Sequence, residues 1–185
     1  MLIDRTGHET MIKAAETAYA AYPELQSFDI HIFYSHTGTA TMQARPRWDL
    51  LWRKRKRRSY QVRINPSPRY EPEREIHELP ANILIGWFAH EFGHLMDYLP
   101  RKRRSMLGFL FQYLWSPGYR RVAERTADTF AIQHGLGSYI LQTKEFLLAH
   151  RNISAKYRAR LLKHYLTPQQ TMELIEEHEG PLMEE

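Results

Sequence analysis

The stretch of sequence that decides the fold is residues 80–99, which read PANILIGWFAHEFGHLMDYL. It is largely apolar and has no proline after its first residue, which predicts one buried α-helix. The helix should end at Leu99, because Pro100 disfavours helical geometry in the residue before it. The ionisable residues His90, Glu91 and His94 lie in the interior of this helix. Burying them is costly unless polar partners satisfy them, so we expect them to have a specific role.

The residues before this helix predict one further helix and a few strands. Residues 8–21 are rich in alanine, with apolar residues at helical spacing, and Pro23 ends that pattern. Residues 28–34 and 39–44 alternate in polarity around a Thr-Gly turn, which predicts a β-hairpin. A further strand is predicted over residues 59–65, SYQVRIN.

The residues after residue 99 predict a helical C-terminal half. Helices are expected over residues 105–115 and 119–134, separated by Ser116-Pro117-Gly118 and ended by Gly135, a natural C-terminal cap. Residues from 139 onward also look helical, and Thr167-Pro168-Gln169-Gln170 has the pattern of a capped helix start. We therefore expect an α+β fold. A small antiparallel sheet would pack on helix 80–99, in a single domain with parts 1–79, 80–135 and 136–185.

Composition limits the chemistry that is open to this chain. The 185 residues are 43 % hydrophobic, which is enough for a folded core. Cysteine is absent, so disulfides and thiolate zinc sites are excluded, and any metal site must use histidine and carboxylate. The N-terminus does not have the pattern of a signal peptide, and no apolar run reaches the roughly 18–20 residues that span a bilayer. A cytoplasmic protein is the expectation.

His90, Glu91 and His94 have the spacing of a zinc-binding helix. Residues four apart lie one above the other on one face of an α-helix, so both imidazoles can point at one ion. Glu91 lies at the edge of that face, where it can reach a water in the fourth coordination position without binding the metal. Zinc lowers the pKa of such a water, and Glu91 would take its proton. The alternative is a pair of core histidines that bond to backbone carbonyls.

A catalytic zinc needs a third protein ligand, and the best candidate is Glu124 in the segment RRVAERTADTFAIQHG. Asp128 lies on the same helical face and could accept the second ring N–H of a ligand histidine. The small residues Ala123, Ala127 and Ala131 recur beside them, which would let this helix approach Gly93 closely. The alternative is an exposed acidic face on an amphipathic helix.

HEFGH followed by ERTAD about thirty residues later resembles the gluzincin group of zinc metallopeptidases, including small gluzincins and the soluble part of the membrane-embedded CAAX-processing and heat-shock peptidases. The resemblance covers about residues 85–135. It implies a zincin-like fold, one Zn²⁺ per chain and a protein or peptide substrate. It also implies His90, His94 and Glu124 as ligands, Glu91 as general base and Asp128 as the group that orients a ligand histidine. A sheet edge strand before the active helix is also implied, and residues 59–65 suit it.

The usual oxyanion donor of that family has no clear counterpart here. Tyr119, His134 and Tyr139 are candidates for this role, and each also has a structural explanation.

Two alternatives to the gluzincin interpretation remain open. The basic run RKRKRR at residues 53–58, with Trp48, Trp52 and Tyr60 nearby, could bind nucleic acid, as a SprT-like protease would. That family uses a third histidine, whereas Glu124 is the candidate here, so nucleic acid is the less favoured partner. The chain could also be a catalytically idle zinc-binding module. A closed structural site needs a fourth protein ligand, and Asp97 is poorly placed for it and better placed to bond a nearby arginine.

Two further segments suggest contacts outside the site. Residues 101–115 combine a basic start, RKRR, with an apolar and aromatic run, which predicts either a buried helix, a cover over the cleft or a membrane-peripheral surface. The last fifteen residues, 171–185, contain six glutamates and no lysine or arginine. This acidic tail is either a solvated helix end or an inhibitory segment.

Overall fold

The structure is a computed structural model that describes residues 1–38, 40–47, 58–68, 73–151 and 153–179. Its strands are β1 (Leu2–Asp4), β2 (Asp29–Tyr34), β3 (Met42–Pro46) and β4 (Ser59–Ile64). Its α-helices are α1 (Glu9–Ala20), α2 (Ala81–Tyr98), α3 (Arg103–Trp115), α4 (Pro117–Gln133), α5 (Gly137–Ala149), α6 (Ala155–His164) and α7 (Pro168–Glu179). The expected α+β class, with a helical C-terminal half, is confirmed. None of the helices within these ranges is long and apolar enough to cross a membrane.

The sheet is mixed rather than antiparallel, which corrects the expected topology. The strand order is β1-β2-β4-β3, with β1, β2 and β4 parallel and β3 antiparallel to β4. The predicted hairpin between β2 and β3 is therefore wrong, because β4 lies between them. Residues such as Ile32 in β2 and Val62 in β4 are fully buried, so both strands suit the middle of a sheet. Strand β1 has only three residues and was not predicted.

The strand at the edge next to α2 is β3, not residues 59–65 as expected. Strand β3 ends at Pro46 and carries the exposed Arg45, and both residue types are typical of edge strands. The backbone bonds from Asn65 N to Thr41 O and from Arg47 N to Ser59 O turn the odd-numbered residues toward β4. The even-numbered residues Met42 and Ala44 therefore present their backbone groups at the free edge.

Helix α2 is the central element of the core. It packs against α1, α4, α5 and β3, and nearly all of its residues are buried. The predicted end is confirmed, since Leu99 caps the helix immediately before Pro100. Gly93 lies where α4 crosses, and a Cβ at that position would be 2.2 Å from the carbonyl oxygen of Ala127. The predicted close approach of the two helices at small residues is thus confirmed.

Capping residues mark where the helices of the C-terminal half begin and end. Ser116 accepts a hydrogen bond from the backbone N–H of Tyr119, and Pro117 is the first residue of α4. The Ser-Pro-Gly segment therefore starts a helix as well as ending one. Gly135 follows α4 with a φ of 73°, as expected of a C-terminal cap. At the start of α7, Thr167 and Gln170 exchange the two hydrogen bonds of the predicted capping box.

Candidate metal centre

The two histidines of α2 face the same buried point. His90 and His94 are one turn apart, and their ring centroids are 4.7 Å from each other with nearly perpendicular planes. Both side chains are buried. The helical spacing alone brings them together, as the sequence predicted.

Helix α4 adds a carboxylate at that point. Glu124 Oε2 lies 3.0 Å from His90 Nε2 and 3.3 Å from His94 Nε2. The glutamate is itself buried, with only 2 % of its surface exposed. The contact between Gly93 and Ala127, one turn further along α4, is what lets the carboxylate reach both rings.

The distances from the Glu124 oxygen to the two histidines fit a zinc ion, and the three donor atoms all lie within 4.8 Å of one another. Ligand atoms bonded to zinc at 2.0–2.1 Å in a tetrahedral site lie about 3.3–3.4 Å apart. The observed separations of 3.0 and 3.3 Å are close to that value. Among the described residues, the metal-binding cluster at this point has three members, and no fourth protein donor joins it. Two histidines and one carboxylate with an open fourth position are typical of catalytic rather than structural zinc.

Without a metal, Glu124 forms a hydrogen-bonded ionic group with His90 and His94. Burial disfavours the charged imidazolium, but the hydrogen bonds to Asp128 and Glu124 outweigh it and raise the pKa of His90 to about 10. Burial also opposes ionisation of Glu124, yet the charges and hydrogen bonds of His94 and His90 hold its pKa well below its usual value. A metal ion would therefore have to displace a proton from His90.

Asp128 orients His90 from behind, as proposed from its position on α4. Its Oδ1 lies 2.8 Å from His90 Nδ1, and its Oδ2 accepts a hydrogen bond of 2.7 Å from Lys144 on α5. Burial works against ionisation, but Lys144 and His90 outweigh it and lower the pKa of Asp128. Lys144 was not identified from the sequence. His94 lacks such support, because its Nδ1 is buried with no hydrogen-bond partner in the described ranges.

Tyr113 on α3 is a further residue that sequence reasoning missed. Its hydroxyl donates a 2.5 Å hydrogen bond to Glu124 Oε1, the oxygen that does not face the histidines. Tyr165, after α6, also approaches the site, with its ring centroid 5.6 Å from that of His90. Tyrosines are too common for a sequence pattern to select these two, and they reach the site only through the packing of α3 and the segment after α6.

Glu91 lies beside the three donors and does not join them. Its Oε2 accepts a 2.5 Å hydrogen bond from the backbone N–H of Ala44, at the free edge of β3. Burial raises its pKa above the ordinary value for glutamate, although His94 and His90 oppose the shift. A carboxylate with a raised pKa is a stronger base than an exposed one.

These residues lie in an open cleft with a volume of about 570 Å³. Its lining includes β3 and, from α3, Leu107, Phe109 and Leu114. His90, Glu91, His94 and Glu124 all line the cleft, and a smaller cavity of about 90 Å³ adjoins it beside His90. Helix α3 thus lines the cleft, and a cover over its mouth by residues 106–115 stays a prediction.

The three oxyanion candidates from the sequence are not brought to this cleft. The ring of Tyr119 packs edge-on against Phe109, with 5.6 Å between centroids. His134 bonds the carbonyl oxygen of Phe130 and stacks on Tyr22. The backbone of Tyr139 packs against α2 at Gly86. None of the three lines either cavity next to His90.

A second group of possible metal donors, His8, Glu75 and His77, lies at the surface. The two imidazoles stack face to face, with 3.8 Å between centroids and 13° between planes. Lone pairs lie in the ring planes, so those of parallel stacked rings do not converge on one point. This arrangement does not fit a metal ion.

The basic run and the acidic tail are described only in part. Residues 48–57 lie outside the described ranges, but Arg58 is buried and donates to the carbonyl oxygen of Arg101. Tyr60 is fully buried, so it offers no face to a nucleic-acid base. Asp97 bonds Arg101 at 2.7 Å, as expected. Three tail glutamates are exposed on α7 and none lines the cleft: Glu173, Glu176 and Glu177. Residues 180–185 lie outside the described part.

A scan against models of known protein families found no match to this chain, and searches of curated proteins and of solved structures found none either. The assignment of a function therefore depends on the residues of the site itself. Those residues form a buried centre of two histidines and one glutamate with a second glutamate beside it, the arrangement that a mononuclear zinc hydrolase needs.

Proposed function

We propose that this chain is a zinc-dependent metallopeptidase that hydrolyses peptide bonds in a protein or peptide substrate. The observation that carries the proposal is the convergence of His90 Nε2, His94 Nε2 and Glu124 Oε2 at the wall of an open cleft. One zinc per chain would be held by these three side chains. When bound, the ion supplies Lewis acidity, which lowers the pKa of a water in the open position and polarises a carbonyl group.

Glu91 is the proposed general base. Its carboxylate would accept a proton from the attacking water and deliver it to the amide nitrogen that leaves. The bond from Ala44 N–H supports this role, because it fixes the carboxylate at the cleft beside the ligands without drawing it into the ligand set. Asp128, itself held by Lys144, keeps His90 in the tautomer that leaves Nε2 free to bind the metal.

The free edge of β3 supports a peptide as the substrate. Met42 and the carbonyl oxygen of Ala44 present backbone groups at this edge, while the Ala44 N–H is bonded to Glu91, and both residues line the cleft that contains the metal donors. An extended peptide can add to such an edge by backbone hydrogen bonds, with little dependence on its sequence. The edge strand would then hold a scissile bond next to Glu91.

Among zinc peptidases, the gluzincin type is favoured over the SprT-like type because the third donor is a glutamate on a second helix. An idle zinc module remains the competing function, and an experiment separates the two. We expect the purified chain to contain one zinc and to cleave a denatured protein. Glu91→Gln should keep the zinc and the fold but lose hydrolysis, since glutamine is nearly isosteric and cannot accept the proton. The exposed Glu176→Gln is the matched control and should behave as wild type.

Substitution of the ligands tests the metal assignment. His90→Ala, His94→Ala and Glu124→Gln should each lose zinc while circular dichroism shows that the helices remain. Full zinc occupancy in Glu124→Gln would contradict the third ligand. Zinc in the wild type without cleavage of any denatured protein would contradict the peptidase and leave the idle module.

A further inference from the structure

The cleft around the candidate metal centre is lined by arginine. Among the described residues, five arginine side chains reach it from different elements: Arg45 and Arg47 from β3 and the residue after it, Arg63 from β4, Arg120 from α4 and Arg160 from α6. The carboxylates among the described lining residues are Glu91 and Glu124, both of which belong to the candidate centre. The charge of this surface is therefore strongly positive.

These positive charges are not neutralised by the protein in the part that the structure describes. No carboxylate within the described ranges forms an ion pair with any of the five arginines. Burial of part of its side chain, and after it the positive charge of the neighbouring Arg63, lower the pKa of Arg45. An unneutralised cluster of guanidinium groups in a concave site attracts anions, because the low-dielectric walls focus the field.

Two of the arginines are fixed in position by neutral partners. Arg63 donates to Ser35 Oγ and to the carbonyl oxygen of His36. Arg120 donates to the carbonyl oxygens of Tyr113 and Leu114, at the C-terminal end of α3. Such bonds orient a guanidinium group and leave its charge intact. Preformed donors of this kind bind carboxylates with less loss of side-chain entropy than free ones.

We infer that the cleft selects peptide segments rich in aspartate and glutamate, an inference that rests on the proposed peptidase function. Carboxylates of the substrate would pair with the cleft arginines while the peptide backbone lies along the edge of β3. A nucleic acid would also be attracted by the charge. The aromatic residues that line the cleft are buried or half-buried, however, among them Tyr98 and Phe109, and single-stranded nucleic acids need exposed aromatic faces for stacking.

The test uses two labelled, unstructured peptides of the same length that differ only in carrying glutamate or glutamine at several positions. Fluorescence anisotropy with the zinc-loaded Glu91→Gln chain measures binding while the peptides stay intact. We expect the glutamate peptide to bind roughly tenfold more tightly at low salt, and the difference to shrink as ionic strength rises. The double variant Arg45→Gln/Arg160→Gln should lose this preference. Arg158→Gln, exposed on the same helix as Arg160 but outside the cleft, should keep it.

Equal affinity for the two peptides would overturn the inference. So would tighter binding of a single-stranded oligonucleotide of equal charge, which would indicate a nucleic-acid surface. The rate of cleavage by the wild-type chain separates this inference from the proposed function. Preferential binding of the glutamate peptide without any cleavage would support the acidic preference and contradict the peptidase. Cleavage of both peptides at equal rates would support the peptidase and contradict the acidic preference.

Discussion

Glu124 is held through both of its carboxylate oxygens. Oε2 faces the two histidines, and Oε1 accepts the hydrogen bond from Tyr113. A carboxylate fixed in this way can offer one oxygen to a metal while the other stays bound to the protein. Residues that hydrogen-bond to a metal ligand typically contribute about 10–100-fold to metal affinity or activity.

Removal of the Tyr113 hydroxyl should therefore weaken metal binding. We predict that Tyr113→Phe lowers zinc affinity by about 10-fold or more, because the carboxylate loses the bond that orients it. Competition with a chromogenic chelator measures the change. Tyr119→Phe is the control, since Tyr119 packs on Phe109 and does not touch the donors. Equal zinc affinity in Tyr113→Phe and wild type would show that Tyr113 has no part in holding the ligand.

At the scale of elements, the site depends on how closely α4 approaches α2. Gly93 lies between the two ligand histidines on the chain, and α4 packs directly on it. A methyl group there would lie 2.2 Å from the carbonyl oxygen of Ala127, which is backbone and cannot rotate away. The helices would have to separate, and Glu124 would move with α4.

We predict that Gly93→Ala destabilises the fold and also weakens zinc binding. Overpacking of this kind typically costs about 1–3 kcal/mol, while alanine is intrinsically the better helix former. Gly108→Ala on α3 is the matched control, because a Cβ there meets nothing within 4 Å and should be neutral or stabilising. Urea unfolding of the metal-free proteins measures the free energy of unfolding. A Gly93→Ala protein as stable as Gly108→Ala would contradict the close packing.

Helix α3 has an exposed apolar row opposite its buried face. Leu107, Phe111, Leu114 and Trp115 are between 52 % and 67 % exposed, while Met106 and Phe109 are buried. Phe111 and Trp115 stack on each other at 4.5 Å between centroids. The exposed basic residues Lys102 and Arg104 lie at the start of the helix. An apolar row with basic residues at its end is typical of helices that lie on anionic membrane surfaces.

We predict that the protein binds vesicles that contain anionic lipid and floats with them at low salt. Phe111→Glu should abolish this binding, because a charge in the middle of the row prevents its burial in the interface. Met172→Glu, an exposed apolar position on α7, should leave it unchanged. The prediction is contradicted if the wild-type protein stays at the bottom of the gradient.

At the scale of the whole molecule, the metal-free fold contains a buried ionic group in which His90 bonds to Glu124 and Asp128. Metal binding at His90 would change its protonation. His90 has a folded-state pKa of about 10, raised above its ordinary value of 6.5. Its contribution to the stability of the metal-free fold is therefore complete below pH 6.5 and is lost as pH rises through 10. Zinc binds only the neutral imidazole, so below pH 10 each zinc that binds releases about one proton from His90.

The thermal stabilisation by zinc should accordingly increase with pH. Between pH 6 and 8 we expect apparent zinc affinity to rise about tenfold per pH unit, which adds about 1.4 kcal/mol of stabilisation per unit at a fixed zinc concentration above Kd. Differential scanning fluorimetry with and without zinc measures the difference in Tm at each pH. A difference in Tm that stays constant over this range would contradict the displacement of a proton.

The sequence alone was sufficient for the features that depend on neighbours along the chain. The His90–His94 spacing, the end of α2 before Pro100 and the cap at Thr167 each depend on residues within about one helical turn, where the geometry of the α-helix is fixed in advance. Glu124 could be proposed because its helix carries small residues at a regular spacing, which is also a local pattern.

The strand order and the surroundings of the site were decided by tertiary structure. Nothing local distinguishes a hairpin of β2 and β3 from the observed insertion of β4 between them, since strand order depends on which apolar faces can be buried together. Tyr113, Lys144 and the cleft arginines come from elements far apart in sequence, and each is an ordinary polar residue in its own segment. Their roles arise only when α3, α4, α5 and β3 come together around α2. Charges and hydrogen bonds act between residues that are close in space, and such residues do not recur at a regular spacing along the chain.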